Sequence, residues 1–229
     1  YAKTIGGVQY LYTGIPVSFL ASAVYPVVID PDFAASTGDG TVYGYNTTYS
    51  TARSTAYSVD TGSFYIDVGQ NLSSSYYYVH RCGLLFDTSS IGSDNTVLQA
   101  NLKLKVGADN STTDFDVQIV KQNWSGQVPL TTGSNKETFF DNCLAGTLDT
   151  TWRNTSGLST GTYYTSNDLD TSWVSKTGTT YYALRSSRDY ANTTPSGAEW
   201  VRIYSQNRST STDRPVLVVT YGVALSGKW

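Results

Sequence analysis

The feature that most constrains the fold of this chain is the alternation of apolar and polar residues in several short segments. In LQANLKLKV, the apolar residues Leu98, Ala100, Leu102, Leu104 and Val106 alternate with polar or charged ones, and DFDVQIV repeats the pattern. A period of two is the signature of a β-strand with one face on the core and the other toward water. No helical pattern separates these segments, which argues against a parallel α/β sheet.

The composition favours the same class of fold. Tyr occurs 19 times, while charged residues make up only 14% of the chain. Residue types that favour strands are abundant and the strong helix formers are scarce. Many short strands with turn signals between them are typical of an antiparallel sandwich. We therefore predict an all-β chain with a two-sheet antiparallel sandwich.

Residues 1–33 contain the most apolar stretch, GVQYLYTGIPVSFLASAVYPVVIDPDF. A strand without a partner is an aggregation hazard, so we expect this arm to pair. It could add strands to its own sandwich, form a hairpin on the sandwich surface, or pair with a neighbouring copy by strand addition. The third arrangement is head-to-tail and extends as a filament unless it closes into a ring. The side chains that we expect at such an interface are Val8, Tyr10, Tyr12, Ile15, Val17, Phe19, Leu20, Tyr25, Val27 and Ile29.

Four segments together resemble a known family. They are YPVVIDP, RCGLLFDTSSI, NTVLQANLKLKV and RPVLVVTY. The pattern is similar to the DNRLRE-type jelly-roll module of bacterial surface, Rhs-type and phage structural proteins. The positions that carry it are Arg81, Phe86, Asp87, Ser89, Ser90, Ile91, Ala100, Leu102, Leu104, Arg214, Pro215, Leu217, Val219 and Tyr221.

The resemblance implies a jelly-roll sandwich over residues 34–221, between the arm at 1–33 and a C-terminal tail at 222–229. It also implies a likeness to carbohydrate-binding modules and a location outside the cell, on the cell surface or in a virion. The family's motifs are structural, so the resemblance supplies no catalytic residues.

Two further features agree with an extracellular location. Cys82 and Cys143 either form a disulfide that closes a long loop or remain two buried free thiols. The chain has seven Asn-X-Ser/Thr sequons, which predict a glycoprotein. They begin at Asn46, Asn71, Asn110, Asn123, Asn154, Asn192 and Asn207.

The sequence offers little for catalysis. The single histidine, His80, lies in an expected strand on the same face as Cys82, and we interpret it as structural. Carboxylates pair at Asp30 and Asp32, at Asp114 and Asp116, and at Asp168 and Asp170. We expect these pairs to be solvated or to brace loops, with calcium as the one ligand left open. The prediction is a protein that is not an enzyme and needs no cofactor or structural metal.

Aromatic residues carry the remaining functional signal. We predict sugar-stacking platforms at Tyr77, Trp124, Trp152 and Trp173. A net charge of −3 without a basic cluster argues against nucleic acid, and no apolar run is long enough for a membrane span. The predicted function is an extracellular, glycosylated structural subunit that polymerises head-to-tail into a fibre or pilus-like filament through its arm. The alternative is a carbohydrate-binding module or the receptor-binding part of a phage fibre or surface adhesin.

Overall fold

The fold is given by a computed structural model that describes residues 2–5, 8–11, 27–131 and 133–223, with the backbone alone described for residues 2–5, 8–11, 27–29 and 223. Fifteen strands are assigned in these residues. They are β1 (Ala2–Ile5), β2 (Val8–Leu11), β3 (Val27–Ile29), β4 (Asp32–Ala34), β5 (Gly40–Asn46), β6 (Ser58–Asp60), β7 (Tyr65–Ser73), β8 (Tyr76–Asp87), β9 (Thr96–Asp109), β10 (Asp116–Lys121), β11 (Thr147–Asn154), β12 (Tyr163–Thr165), β13 (Thr179–Ser186), β14 (Ala198–Tyr204) and β15 (Val216–Val223).

Three short helices interrupt the strands: α1 (Tyr49–Ser54), α2 (Ser134–Ala145) and α3 (Ser187–Tyr190). All strand pairings are antiparallel, and the two alternating segments of the sequence form β9 and β10. The prediction of an all-β sandwich is confirmed. The longest of these helices, α2, has 12 residues.

The strands form two layers. One layer, which we call the groove layer after the surface groove described below, contains β7, β14, β9 and β15 in that order. Strand β12 lies beside β9, and both β3 and β4 lie beside β15. The other layer, which we call the helix layer because α1 and α2 pack on its outer face, contains β6, β5, β8, β13, β10 and β11. The first half of β8 also pairs with β7, from Tyr76 to His80, and this pairing joins the two layers.

The main core lies between the layers. The inward positions of β9, at Ala100, Leu102, Leu104 and Val106, are fully buried, as the alternation predicts. They pack with apolar side chains from β7, β8, β13, β14 and β15 in one cluster. Burial of a large aliphatic side chain contributes about 1.5–3 kcal/mol, so this cluster stabilises the two layers against each other.

A second core covers the opposite face of the helix layer. Helices α1 and α2 pack there on Val42, Leu85 and Ala183, with Phe139 and Phe140 fully buried. A buried ion pair ties this side together. The Arg81 Nε donates to Asp189 at 2.7 Å and the Arg81 guanidinium stacks 3.8 Å from the centre of the Phe140 ring. The first position of the family-like motif therefore has a structural role.

The C-terminal part of the arm pairs within the same chain. Val27–Ile29 and Asp32–Ala34 both pair with β15, and Phe33 joins the main core. At Val27 and Ile29, the arm thus adds strands to its own sandwich. Strands β1 and β2 pair with each other, which places Val8 and Tyr10 in a hairpin. The remaining predicted interface positions, Tyr12, Ile15, Val17, Phe19, Leu20 and Tyr25, lie outside the described residues.

The cysteines are not linked. Cys82 and Cys143 are both buried free thiols, so the predicted disulfide is not formed and the alternative holds. The reason is their position on different faces of the helix layer. Cys82 points into the main core, while Cys143 on α2 belongs to the second core.

Candidate functional site

The most distinctive surface is a row of aromatic rings on the outer side of β7 and β14 and of the adjoining strands β5 and β8, in which the Arg202 guanidinium bridges the rings of Trp200 and Tyr65. We call it the aromatic face. The registers of β5, β8, β7, β14 and β9 place its side chains on one side, because directly opposed residues in antiparallel strands point the same way. Its members are Tyr43, Tyr45, Tyr57, Tyr65, Tyr76, Tyr78, His80, Trp200, Arg202 and Tyr204.

The face exists because one side of β8 changes environment along the strand. Tyr76, Tyr78 and His80 alternate outward and are half-buried or exposed, whereas Cys82 and Leu84 on the same side are fully buried. From Cys82 onward the groove layer covers this side of β8. Before that point β8 continues the outer surface of β7, and its rings meet solvent.

A groove of about 280 Å³ lies at the centre of the face. It is lined by Asp67, Asn71, Ser73, Tyr78, His80, Trp200 and Arg202. Gly69 lies in register between His80 and Trp200, with a φ of +130° that favours glycine. Because Gly69 has no side chain, the rings of His80 and Trp200 approach to 6.3 Å between centroids.

One end of the face is a cluster of tyrosines around Tyr45. The ring of Tyr45 stacks on Tyr76 at 4.7 Å with 13° between their planes, and it also contacts Tyr57 at 5.2 Å and Tyr78 at 4.8 Å. Tyr57 is 58% exposed and Tyr76 is 38% exposed. Stacked and edge-to-face contacts of this kind hold the rings in place while leaving their outer surfaces open.

The centre of the face carries a fixed charge pair. Arg202 makes a two-pronged contact with Asp67, from Nε to Oδ1 at 3.0 Å and from Nη2 to Oδ2 at 3.2 Å. Its guanidinium lies 5.1 Å from the Trp200 ring and 5.2 Å from the Tyr65 ring. The hydrogen bond to Asp67 raises the pKa of Arg202 further above its usual value, so the residue stays charged.

His80 has an unused hydrogen-bonding atom. Its Nδ1 is buried without a partner among the described residues. Burial lowers the pKa of His80, and Arg202 lowers it further while Asp67 opposes the shift. The imidazole is therefore neutral at neutral pH. It lies parallel to Tyr78, with 6.1 Å between centroids and 1° between planes, so it continues the row of rings.

The four aromatic residues predicted as sugar platforms differ in burial and position. Trp124 and Trp152 are buried in the two cores, so the prediction is wrong for both. Their indole Nε1 groups donate to the carbonyls of Tyr182 and Tyr164, which satisfies both N–H groups in the interior. Trp173 is half-buried against the main core beside a groove of about 210 Å³. Tyr77 packs on the second core and contacts Tyr49.

The asparagines of the seven sequons are exposed or half-buried, and four of them make hydrogen bonds through their side chains. Asn123, Asn154 and Asn192 are exposed, and the remaining sequon asparagines are half-buried. The Asn207 amide donates to the backbone oxygens of Thr61 and Ser63. No described residues form a cluster of three or more His, Cys, Asp or Glu that could hold a metal ion.

The carboxylate pairs take part in local hydrogen bonds. Asp168 accepts from Gln99 and Asn101, Asp170 binds Lys121, and Asp116 accepts from Asn154. These contacts brace loops and strands on the surface. Asp189, from the RSSRDY segment, pairs with Arg81 and Arg53, while its neighbour Arg188 pairs with Glu199.

Sequence reasoning missed most of the aromatic face. The triplet Tyr76–Tyr78 gave a signal, because consecutive residues of a strand cannot all face the core, and Tyr76 is indeed exposed. In EWVRIYS, every second residue is Trp200, Arg202 or Tyr204. If the segment is a strand, these three side chains lie on one face. Their meeting with β8 depends on pairings between distant segments, which the sequence pattern does not reveal.

Comparison with known proteins adds no assignment: no family model matches the chain, and no curated protein is similar to it. The resemblance to the DNRLRE-type module stays a prediction. Across the described residues, no helix is both long and apolar enough to cross a membrane.

Proposed function

We propose that this protein binds polysaccharide along the aromatic face. The observation that carries the proposal is the row of rings that runs from Tyr76 and Tyr45 through His80 and Trp200 to Tyr65 and Tyr204. Aromatic rings stack on the apolar C–H faces of sugar rings, and Tyr also offers a hydroxyl. An elongated row suits a linear chain better than a single sugar.

Polar groups beside the rings supply the means to orient a sugar. Asn71 and Ser73 offer an amide and a hydroxyl in the central groove, which the His80 ring also lines. Asp67 and Arg202 are held by each other and keep lone pairs and N–H groups at the groove. Binding sites commonly combine an apolar lining with a few placed polar groups in this way.

The length of the face is consistent with this role. Four strand-to-strand spacings separate β5 from β9, which corresponds to about 19 Å. The groove is open to solvent, so a chain can lie across it without threading. We conclude that the protein is a non-enzymatic binding module for extended glycans.

The test is binding to a panel of polysaccharides by the full chain and two variants. Trp200→Ala and Tyr45→Ala remove one platform at the centre and one at the tyrosine end. We expect each to weaken binding by about tenfold or more, because a lost aromatic contact costs on the order of 1 kcal/mol beyond the buried area. Thermal unfolding of each variant checks that the fold is retained.

Phe64→Ala is the matched control. Phe64 is 52% exposed and lies in the bend before β7, but it does not line the central groove and is not a member of the aromatic face. This variant should bind as the wild type does. Saturable binding that survives both aromatic replacements would refute the site, and absence of binding to every polysaccharide would refute the function.

A filament subunit is the second candidate. The observation that favours it is the hairpin of β1 and β2, which pairs with no other strand among the described residues. An isolated two-stranded hairpin is marginal in water, so a neighbouring copy would be a natural partner. Negative-stain microscopy of the full chain and of a variant lacking residues 1–26 tests this. That deletion keeps β3 and β4, and a full-length protein that stays monomeric would exclude polymerisation.

A further inference from the structure

The two ends of the aromatic face differ in charge. The tyrosine end, around Tyr45, has uncharged side chains in contact with its rings. The other end, formed by β14, β9 and β12, has cations around its rings. We call it the basic end, and its residues are Lys103, Lys105, Arg202 and Arg208, arranged around Tyr65, Tyr163 and Tyr204.

The cations are placed by the same rings that line the face. The Lys105 Nζ lies 5.6 Å from the centre of Tyr163 and 5.8 Å from the centre of Tyr204. Arg208 lies 4.6 Å from the Tyr204 ring, and the Lys103 Nζ lies 5.1 Å from the Tyr163 ring. Cation–ring contacts at this distance are attractive and reduce the freedom of long side chains.

Tyr163 is itself fixed, so the basic end is a rigid surface. Its hydroxyl donates a hydrogen bond toward the backbone oxygens of Thr212 and Arg214 at 2.7 and 2.8 Å. Next to it, the Tyr65 ring fills the space above Gly107, where an added Cβ would come within 2.6 Å of a ring carbon. The glycine therefore lets the Tyr65 ring extend toward β9.

The acidic partners at this end are too few to balance the cations. Asp67 pairs with Arg202, and Asp213 is shared by Lys105 at 2.6 Å and Arg208 at 3.4 Å. Lys103 has no carboxylate within ion-pair distance in the described part of the chain. Three of the four cations thus contact two carboxylates and Lys103 contacts neither, while Asp60 and Asp32 act only at longer range. Within ion-pair distance the balance at this end is therefore positive, although the whole chain carries −3.

A positive patch at one end of a binding surface attracts anions to that end. The Lys103 ammonium has three N–H donors and can bond a carboxylate without breaking an existing ion pair. On this basis we infer that the preferred ligand is an acidic glycan, a linear chain of uronic acid type. Its carboxylates lie over the basic end and its sugar rings stack toward the tyrosine end. The inference rests on the polysaccharide-binding function proposed above.

The test compares acidic polysaccharides with their own neutral forms. Alginate, polygalacturonate and hyaluronan are each presented beside a carboxyl-reduced sample with the same linkages, together with neutral glucans and xylans. We expect the full chain to bind at least one acid form about tenfold more tightly than its reduced form, the size of one charge-assisted hydrogen bond. High salt should shrink that preference.

Lys103→Gln separates charge from stacking. This variant should lose most of the preference for the acid form and bind the reduced form as the wild type does. Arg153→Gln is the matched control, because Arg153 also lies over a tyrosine, 5.9 Å from the Tyr164 ring, but outside the aromatic face. It should keep the full preference.

The failures of the two proposals can be told apart. If acid and reduced forms bind equally, or if only neutral glycans bind, the acidic ligand is refuted while polysaccharide binding stands. An unchanged preference in Lys103→Gln would likewise refute the role of the basic end. If no polysaccharide binds at all, the function itself is refuted.

Discussion

The two outer faces of the sandwich are both rich in aromatic residues but use them differently. On the helix layer, α1 and α2 cover the surface, and Trp124, Phe139 and Phe140 are fully buried beneath or within them. On the groove layer the rings of Tyr45, Trp200 and their neighbours form a row with nothing packed over them among the described residues. Aromatic content alone therefore does not mark a binding face. What distinguishes the two is whether another element of the chain covers the rings.

The ion pairs of the two faces provide the comparison with the largest expected effect. Asp189→Ala leaves the fully buried Arg81 without its carboxylate and should cost about 3–5 kcal/mol of unfolding free energy. Asp67→Ala removes the partner of Arg202, which is 38% exposed, and should cost about 1 kcal/mol or less. Urea unfolding of both variants measures the difference. Equal costs would show that the two faces are not distinct in burial.

A second comparison uses one tryptophan from each face. Trp124→Ala should destabilise the protein by about 3–5 kcal/mol, because it opens a cavity in the second core and removes the bond to the Tyr182 carbonyl. Trp200→Ala should cost clearly less, about 1–2 kcal/mol, since its side chain is only half-buried. Thermal and urea unfolding measure both. A large cost at Trp200 would mean that the aromatic face is a packing surface.

A third prediction concerns the pH dependence of stability and the buried carboxylate of Asp39. Unlike Asp189, this carboxylate has no arginine in ion-pair contact among the described residues. Asp39 is 1% exposed, its Oδ2 accepts from the backbone N–H of Gln206 at 2.8 Å, and its Oδ1 has no partner in the part of the chain that the structure describes. Burial raises the pKa of Asp39 to about 7, against the hydrogen bond from Gln206 and the charge of Arg214. Because the pKa of Asp39 is higher in the folded protein than in the unfolded chain, its whole contribution to the free energy of unfolding is present below about pH 4. It is lost as pH rises toward 7.

Asp39→Asn keeps an acceptor for Gln206 and removes the titration. We expect the variant to gain stability relative to the wild type between pH 4 and pH 8, by about 2–4 kcal/mol at the upper end. Unfolding curves of both proteins across this range give the measurement. Two parallel pH profiles would show that Asp39 is not strained by burial.

The strand pattern could be predicted because it depends on nearest neighbours along the chain. Alternation in β9 identifies Ala100, Leu102 and Leu104 as core, and all are fully buried. The helices were harder. Helix α1, at Tyr49–Ser54, lies in a segment rich in Ser and Thr, and packing of Tyr49 and Ala52 on the second core overrides the weak propensity.

The site was harder still, because loop-like sequence does not reveal where a loop folds. Trp124 and Trp152 stand among turn residues, yet each indole finds a backbone carbonyl in the interior. Conversely, Trp200 sits in a good strand, and its outward face becomes a site only because Gly69 and β8 lie beside it. The contacts of Trp200 with Gly69 and His80 join residues more than 100 positions apart. Local patterns carry no information about them.

The most direct test of the polysaccharide site is an NMR titration that follows the tryptophan indole N–H signals while a bound glycan is added. The signal of Trp200 should shift with saturation, because Trp200 lies at the centre of the aromatic face. The signals of Trp124 and Trp152 should stay in place, because both rings are buried away from solvent. A shift confined to Trp173, which lines a separate groove, or no shift at Trp200 at saturation, would contradict the account.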